Sequence, residues 1–154
     1  MRLLHDSAAP APQLDIFLID FGTARSLHQD TNADAENKPN HTGTPLFMAL
    51  STLKHQPQGV LSDLESAFYV FLHWATHERL HWKHARFDPS FYAPEAVGMK
   101  WSAMTFEFEE KVLARIEDVK LREVAKRLQA LFFPNNIYYK SVSALEFLQA
   151  INQV

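Results

Sequence analysis

The chain has 154 residues, 47% hydrophobic and 12% aromatic, which suffices for one domain with a sizeable buried core. A net charge of -3 without a long basic run, and the lack of a long apolar run or an N-terminal signal pattern, argue against nucleic acid, a membrane and export. With no cysteine, disulfides, zinc-thiolate sites and a cysteine nucleophile are excluded, and an intracellular location, cytoplasmic or nuclear, is expected.

The first predicted element is a short, largely buried strand from Leu14 to Ile19, rich in strand-favouring residues. It is followed by a polar stretch, Ser26 to Asn40, in which no apolar period survives, and this stretch is predicted to be a loop.

The rest of the chain favours helices. Leu46 to His55 predicts a short helix ended by Pro57 and Gly59. The apolar period from Leu64 to Ala75 predicts a central helix, buried nearly all round and capped by Ser62 or Asp63.

Residues 79–99 lack a clean period and are predicted to be irregular. Three amphipathic segments follow: 106–116, 119–131 and 142–151, the last two separated by Pro134-Asn135-Asn136. The predicted fold class is therefore mostly α with a small β element.

The residues Asp20-Phe21-Gly22 stand where the predicted strand ends and the polar loop begins. This sequence resembles the D-F-G turn of protein kinases, whose Asp holds the Mg²⁺ that bridges the nucleotide phosphates. The resemblance implies Asp20 as a metal ligand and Asp20, Phe21 and Gly22 as the position of Mg-ATP, the cofactor of that family.

Two later segments strengthen the resemblance. Thr42 to Ala49, T-G-T-P-L-F-M-A, resembles the end of a kinase activation loop. Ser62 to Leu72, S-D-L-E-S-A-F-Y-V-F-L, is similar to the start of the central helix in casein-kinase-like and fungal-type kinase-like proteins. With the following His73-Trp74 and the later Trp101, the pattern most resembles the fungal-specific protein-kinase-like family.

The resemblance implies a kinase C-terminal lobe with the N-terminal lobe absent. Residues 14–22 would be the strand and D-F-G turn, 23–44 an activation-loop-like segment, and 45–154 a helical lobe, together one partial domain over 1–154. Asp63 would brace the catalytic loop from the central helix. Thr31, Thr42 and Thr44 stand where activating phosphorylation occurs in kinases, although ordinary exposed threonines are the favoured interpretation.

The sequence also departs from the kinase pattern. Kinases carry H-R-D-x-x-x-x-N shortly before D-F-G, but the residues before Asp20 offer only His5-Asp6 and no Asn. Leu50-Ser51 replaces the usual Pro-Glu, and Lys140 stands at the position of the Arg that normally pairs with that Glu. No catalytic residue is therefore assigned, and no cofactor is expected for this chain alone.

A competing motif is His77-Glu78-Arg79-Leu80-His81, which matches H-E-x-x-H. On a helix this spacing places two imidazoles on one face for Zn²⁺, with Glu as general base. The stretch is rich in histidine and no third ligand motif follows, so solvated histidines at a helix end are the favoured interpretation and a zinc hydrolase is a minor alternative.

Two functions remain open from the sequence. The leading hypothesis is a degenerate kinase lobe without phosphotransfer activity of its own, which binds a protein partner through the surface that an N-lobe would cover. The alternative is a fragment of an active Ser/Thr kinase whose missing parts lie elsewhere.

Overall fold

The computed structural model describes residues 44–54, 56, 58–85, 94–138 and 141–152, all of which lie in one compact unit. This part of the chain is mostly helical and contains no strand. Its six α-helices are α1 (Leu50–Leu53), α2 (Val60–Ala75), α3 (Pro94–Met104), α4 (Phe108–Lys111), α5 (Val119–Phe132) and α6 (Ala144–Asn152). The predicted helical class is confirmed for these residues, whereas the predicted strand from Leu14 to Ile19 lies outside them.

Helix α2 is the central helix that the apolar period predicts. It begins at Val60 with Gly59 as its N-cap, so the prediction that Ser62 or Asp63 caps it is wrong. Phe68, Tyr69 and Leu72 have no solvent exposure. The expectation of burial nearly all round is also wrong, because Val70 is 50% exposed and Trp74 is 60% exposed on the opposite face.

Helix α3 corrects the last part of the prediction that residues 79–99 are irregular, because the helix begins at Pro94, whereas residues 79–85 form no helix, as predicted. Proline is well suited to the first helical position, where its missing N–H would have no helical partner. The helix buries Ala96, Val97, Lys100, Ala103 and Met104, which repeat at helical spacing. Lys100 occupies the middle of this buried face and hides the apolar period from a sequence reading.

The C-terminal helices follow the predicted segments closely. Asp118 caps α5 by accepting a hydrogen bond from the backbone N–H of Leu121 at 3.0 Å. The predicted 106–116 helix is shorter than expected, comprising α4 and a 3-10 turn at Leu113–Arg115. Helix α5 ends at Phe132, and Pro134–Asn136 forms a second 3-10 turn before α6, which confirms the predicted separation of the last two helices. Asn135 and Asn136 in this turn have left-handed backbone.

The buried core joins helices α1 to α5, and Phe147 and Ala150 of α6 pack against it. Its members are Met48, Leu50, Leu53, Phe68, Tyr69, Leu72, Ala75, Leu80, Trp82, Val97, Ala103, Met104, Phe108, Val112, Leu113, Ile116, Val124, Ala125, Leu128, Phe132, Phe133 and Val142. Phe68 of α2 stacks on Phe132 of α5 with ring centroids 5.6 Å apart, and Phe132 contacts Phe147 of α6 edge-on at 6.2 Å. Among the described residues, no helix is long and apolar enough to cross a membrane.

Candidate functional site

The backbone from Thr44 to Leu50, here termed the 44–50 segment, lies against α2, α3 and the turn at 80–85. A turn forms at its start, where the backbone N–H groups of Phe47 and Met48 donate to the carbonyl of Thr44. Phe47 packs edge-on against His73 of α2, with ring centroids 5.2 Å apart. The segment continues directly into α1, of which every residue is buried.

Side chains from three different elements bind the backbone of this segment. The indole Nε1 of Trp82 donates to the carbonyl of Leu46 at 2.9 Å. The Nζ of Lys100 donates to the carbonyls of Pro45 at 3.1 Å and Met48 at 2.6 Å. The carboxylate of Glu65 accepts from the N–H of Leu50 at 2.9 Å. The path of the 44–50 segment is therefore fixed by polar contacts as well as by apolar packing.

Glu65 has no solvent exposure and is the acceptor at the centre of this arrangement. Its Oε1 accepts from the Tyr69 hydroxyl at 2.5 Å, and its Oε2 accepts from the Tyr138 hydroxyl. Burial raises the pKa of Glu65, while these hydrogen bonds, the Leu50 amide and the charge of Lys100 act to lower it. Burial and the neighbouring Glu65 also raise the pKa of both tyrosines, so both hydroxyls keep their protons and donate.

Lys100 is likewise fully buried. Its Nζ lies 4.4 Å from the ring centroid of Tyr69 and 5.7 Å from that of Trp82, within the range of cation–π attraction. Burial lowers the pKa of Lys100 to about 7, and the charge of Glu65 only partly opposes this shift. A lysine with this pKa exchanges between its charged and neutral forms near neutral pH.

Two clefts border this region. The first has a volume of about 220 Å³ and lies between Thr44, Pro45 and Leu46 on one side and Trp82, Lys83, Ala85 and Ala96 on the other. The second, more open cleft has a volume of about 550 Å³ and is lined by Glu78, Arg79, Leu80, His81, Lys83, His84 and Arg115. The guanidinium groups in the second cleft already bind protein carbonyls: that of Arg79 donates to Thr76 and Arg115, and that of Arg115 donates to Arg79.

Most of the residues that the sequence singled out cannot be located. Asp20, Phe21, Gly22, Thr31, Thr42 and Lys140 lie outside the described residues, so their predicted roles remain predictions. Thr44 is exposed at the start of the 44–50 segment. Asp63 is exposed in the first turn of α2, and the catalytic-loop position that it is predicted to brace lies outside the described part.

The H-E-x-x-H motif lies beyond the end of a helix, so the zinc-hydrolase alternative loses its geometric basis. Helix α2 ends at Ala75 with Thr76 as its C-cap, and both His77 and Glu78 have left-handed backbone, with φ of 51° and 64°. The N–H of His77 donates to the carbonyl of Trp74, and that of Glu78 donates to the carbonyl of His73. This is a Schellman cap with histidine where glycine is usual. His77 and His81 therefore do not share a helix face, and the described residues contain no group of three metal-ligating side chains.

Sequence reasoning missed Glu65 and Lys100 as members of a polar site. Glu65 was visible only as a letter of the D-L-E-S motif. Lys100 stands at helical spacing between Ala96 and Met104, which is a signal that could have been found by searching for a charged residue inside a buried helical face.

Comparison with known protein families shows a similarity in the first half of the chain. Residues 3–75 match the family model described as fungal protein kinase. Searches of curated proteins and of solved structures found no match. The resemblance predicted from D-F-G, G-T-P-L-F-M-A and D-L-E-S is thus confirmed for this family.

Proposed function

From the fungal protein-kinase-like sequence of residues 3–75, we propose that this chain is the C-terminal lobe of a kinase-like domain and does not transfer phosphate by itself. Three features support the assignment to a C-terminal lobe. The described residues are mostly helical, the 44–50 segment begins within the G-T-P motif, and D-L-E-S lies in the N-terminal half of the central helix α2. The intracellular location proposed with it is supported by the absence of cysteine.

The observation that carries the proposal is the sequence that immediately precedes Asp20. Residues 1–19 contain neither an H-R-D triplet nor any Asn. In kinases that Asp accepts the proton of the substrate hydroxyl, and that Asn holds the second metal ion. A catalytic loop without this Asp and Asn would supply neither the base nor the second protein ligand, so Mg-ATP would lack the groups that drive transfer.

An exposed apolar face on α2 supports a role in binding other proteins. Val70 and Trp74 are one helical turn apart, and both are at least half exposed. Large exposed apolar side chains that lie together on a surface are typical of protein interaction sites. We therefore propose that the lobe acts as an interaction module.

A phosphotransfer assay tests the first half of this proposal. The purified chain is incubated with labelled ATP, Mg²⁺ and a generic protein acceptor, beside the Asp20→Ala variant. We expect equal incorporation of label for the two proteins. Transfer by the unmodified chain above that of Asp20→Ala would overturn the proposal of inactivity.

Affinity capture tests the second half. The Val70→Ser and Trp74→Ser double variant removes the apolar face without touching the core, and Phe106→Ser serves as a control because Phe106 is also highly exposed. We expect the double variant to lose proteins that both the unmodified chain and Phe106→Ser retain. If all three proteins capture the same partners, the face formed by Val70 and Trp74 is not a binding site.

The alternative function is a fragment of an active ATP-dependent Ser/Thr kinase. It is favoured by the intact D-F-G motif and by the buried polar contacts that hold the 44–50 segment in one conformation. This alternative requires a Gly-rich loop and an H-R-D-x-x-x-x-N motif to be encoded before Met1. Sequencing the coding region upstream separates the two functions.

A further inference from the structure

Lys100 is a fully buried lysine for which the proposed function gives no role. We propose that Lys100 is the positioning residue of the 44–50 segment, and that with Glu65 it replaces the Glu–Arg ion pair that anchors this part of the chain in kinases. The comparison with kinases rests on the proposed function. The contacts of Lys100 and Glu65 with the segment are independent of that proposal.

The first step of the argument is geometric. The Nζ of Lys100, carried by α3, reaches the carbonyls of Pro45 and Met48, so one side chain holds both ends of the turn that opens the 44–50 segment. Glu65, carried by α2, accepts from the Leu50 N–H two residues later. The segment is thus bound from two helices by groups of opposite charge.

The second step concerns the ion pair that the sequence lacks. Leu50-Ser51 stands where kinases have Pro-Glu, so the segment itself offers no carboxylate. In this chain the carboxylate is supplied instead by α2 and the cation by α3, and both bind the backbone of the segment. The anchoring function is preserved although neither of the usual side chains is present.

The third step concerns the protonation of Lys100. The anchor that Lys100 and Glu65 form holds the 44–50 segment whether the Lys100 amine is charged or neutral. The groups that face Lys100 are the carboxylate of Glu65 and the rings of Tyr69 and Trp82, and the Tyr69 and Tyr138 hydroxyls bind Glu65. Burial lowers the pKa of Lys100 to about 7, so neutral amine and ammonium are both populated near that pH. A neutral amine retains two N–H hydrogens, which match the two carbonyl acceptors. Loss of the charge therefore weakens these hydrogen bonds without removing a donor.

The anchor has a consequence for the smaller cleft. Thr44, Pro45 and Leu46 form one wall of the 220 Å³ cleft, and Trp82 belongs to the other side. Because Lys100 binds Pro45 and Trp82 binds Leu46, these two side chains set the separation of the walls. Release of the Lys100 contacts is expected to change the shape of this cleft before it unfolds the helices.

The absence of cysteine in the natural sequence allows a sharp test. The variant Lys100→Cys is alkylated in denaturant with either 2-bromoethylamine or 1-bromopropane and then refolded. The first reagent restores an amine at the position of Nζ, and the second leaves a chain of the same length ending in a methyl group. The two products differ only in hydrogen-bonding capacity and charge.

The readout is amide hydrogen exchange at Leu50, whose N–H binds Glu65. We expect exchange at Leu50 to be at least about tenfold slower in the aminoethyl product than in the propyl product, with amides of α5 differing less than about twofold. Equal exchange at Leu50 in the two products would overturn the proposal, and so would an equal change at Leu50 and in α5, which would indicate general stabilisation. The same alkylations of Lys126→Cys, at a half-exposed lysine of α5, form the matched control.

A second measurement applies if the alkylated products do not refold. In the unmodified chain, the anchor requires the Leu50 amide to exchange within about tenfold of the α5 amides, whereas exchange as fast as that of an exposed amide contradicts it. Neither measurement involves ATP or a captured partner. Failure of the proposed function in its own assays is therefore distinguishable from failure of the anchor.

Discussion

At the scale of single residues, Glu65 and Lys100 show how far a buried site can change the ionisation of its members. Burial shifts both pKa values towards the neutral form, upwards for the carboxyl of Glu65 and downwards for the amine of Lys100. Each group retains hydrogen-bond partners in either state, which limits the cost of burying it. These shifts link the stability of the fold to pH.

Lys100 makes the fold more stable as the pH rises above neutrality. Its pKa is about 7 in the folded chain and 10.5 as the ordinary value, so between these limits the unfolded chain binds more protons, and the free energy of unfolding increases with pH. This gain in unfolding free energy is fully present above pH 10.5 and is lost as the pH falls to about 7. From pH 7 to pH 9, we expect the free energy of unfolding of the unmodified chain to rise by about 2 kcal/mol relative to that of Lys100→Met. Urea unfolding at both pH values measures it, and a constant difference would contradict it.

Glu65→Gln is expected to destabilise the fold by about 2–3 kcal/mol, because a glutamine NH₂ would face donors and Lys100 would lose the nearby negative charge. Urea unfolding at pH 7 measures the change. Glu123→Gln is the matched control on the surface of α5, with an expected effect within about 0.5 kcal/mol. Similar effects for the two variants would show that the Glu65 carboxylate contributes little.

At the scale of secondary-structure elements, helix ends decide the meaning of the H-E-x-x-H motif. The sequence is compatible with a helix that continues through His81, but the Schellman cap ends α2 at Ala75. A left-handed residue at the first position after the cap is strained unless it is glycine.

We therefore expect His77→Gly to stabilise the fold by about 1 kcal/mol, since glycine adopts φ of 51° without a steric cost. Ala67→Gly, at an exposed position inside α2, is the control and is expected to destabilise the fold by about 1 kcal/mol. Thermal or urea unfolding of the two variants gives the sign of each change. Destabilisation by both glycines would contradict the left-handed assignment at residue 77.

At the scale of the whole described unit, the core joins residues that are far apart in the chain. The buried cluster runs from Met48 to Val142, and Tyr138 donates to Glu65 across 73 positions of sequence. Since α2 contacts both α5 and α6, none of these helices buries its apolar face alone.

We expect the described helices to unfold in one cooperative transition. Tryptophan fluorescence reports on Trp74, Trp82 and Trp101, of which Trp82 is buried, whereas far-UV circular dichroism reports on all the helices. The two urea transitions should have the same midpoint. Clearly separated midpoints would show that the part of the fold that carries the three tryptophans unfolds independently of the C-terminal helices.

The sequence by itself determined the resemblance of residues 3–75 to fungal protein kinases, the helical class of the described residues and the positions of α2, α5 and α6. Family and helix signals are local: D-F-G, G-T-P-L-F-M-A and D-L-E-S are short motifs, and an apolar period can be read within one helix. The predicted roles of Asp20, Phe21, Gly22 and Asp63 remain predictions.

Only the tertiary structure decided the burial and contacts of Lys100, the helix α3 that carries it, and the end of α2 before His77. In the sequence, Lys100 interrupts the apolar period of α3. The residues that it binds, Pro45 and Met48, lie more than 50 positions away and cannot be identified from the local sequence. A buried charge gains its stabilising contacts from distant residues, so local propensity cannot indicate whether it belongs to the surface or to the core.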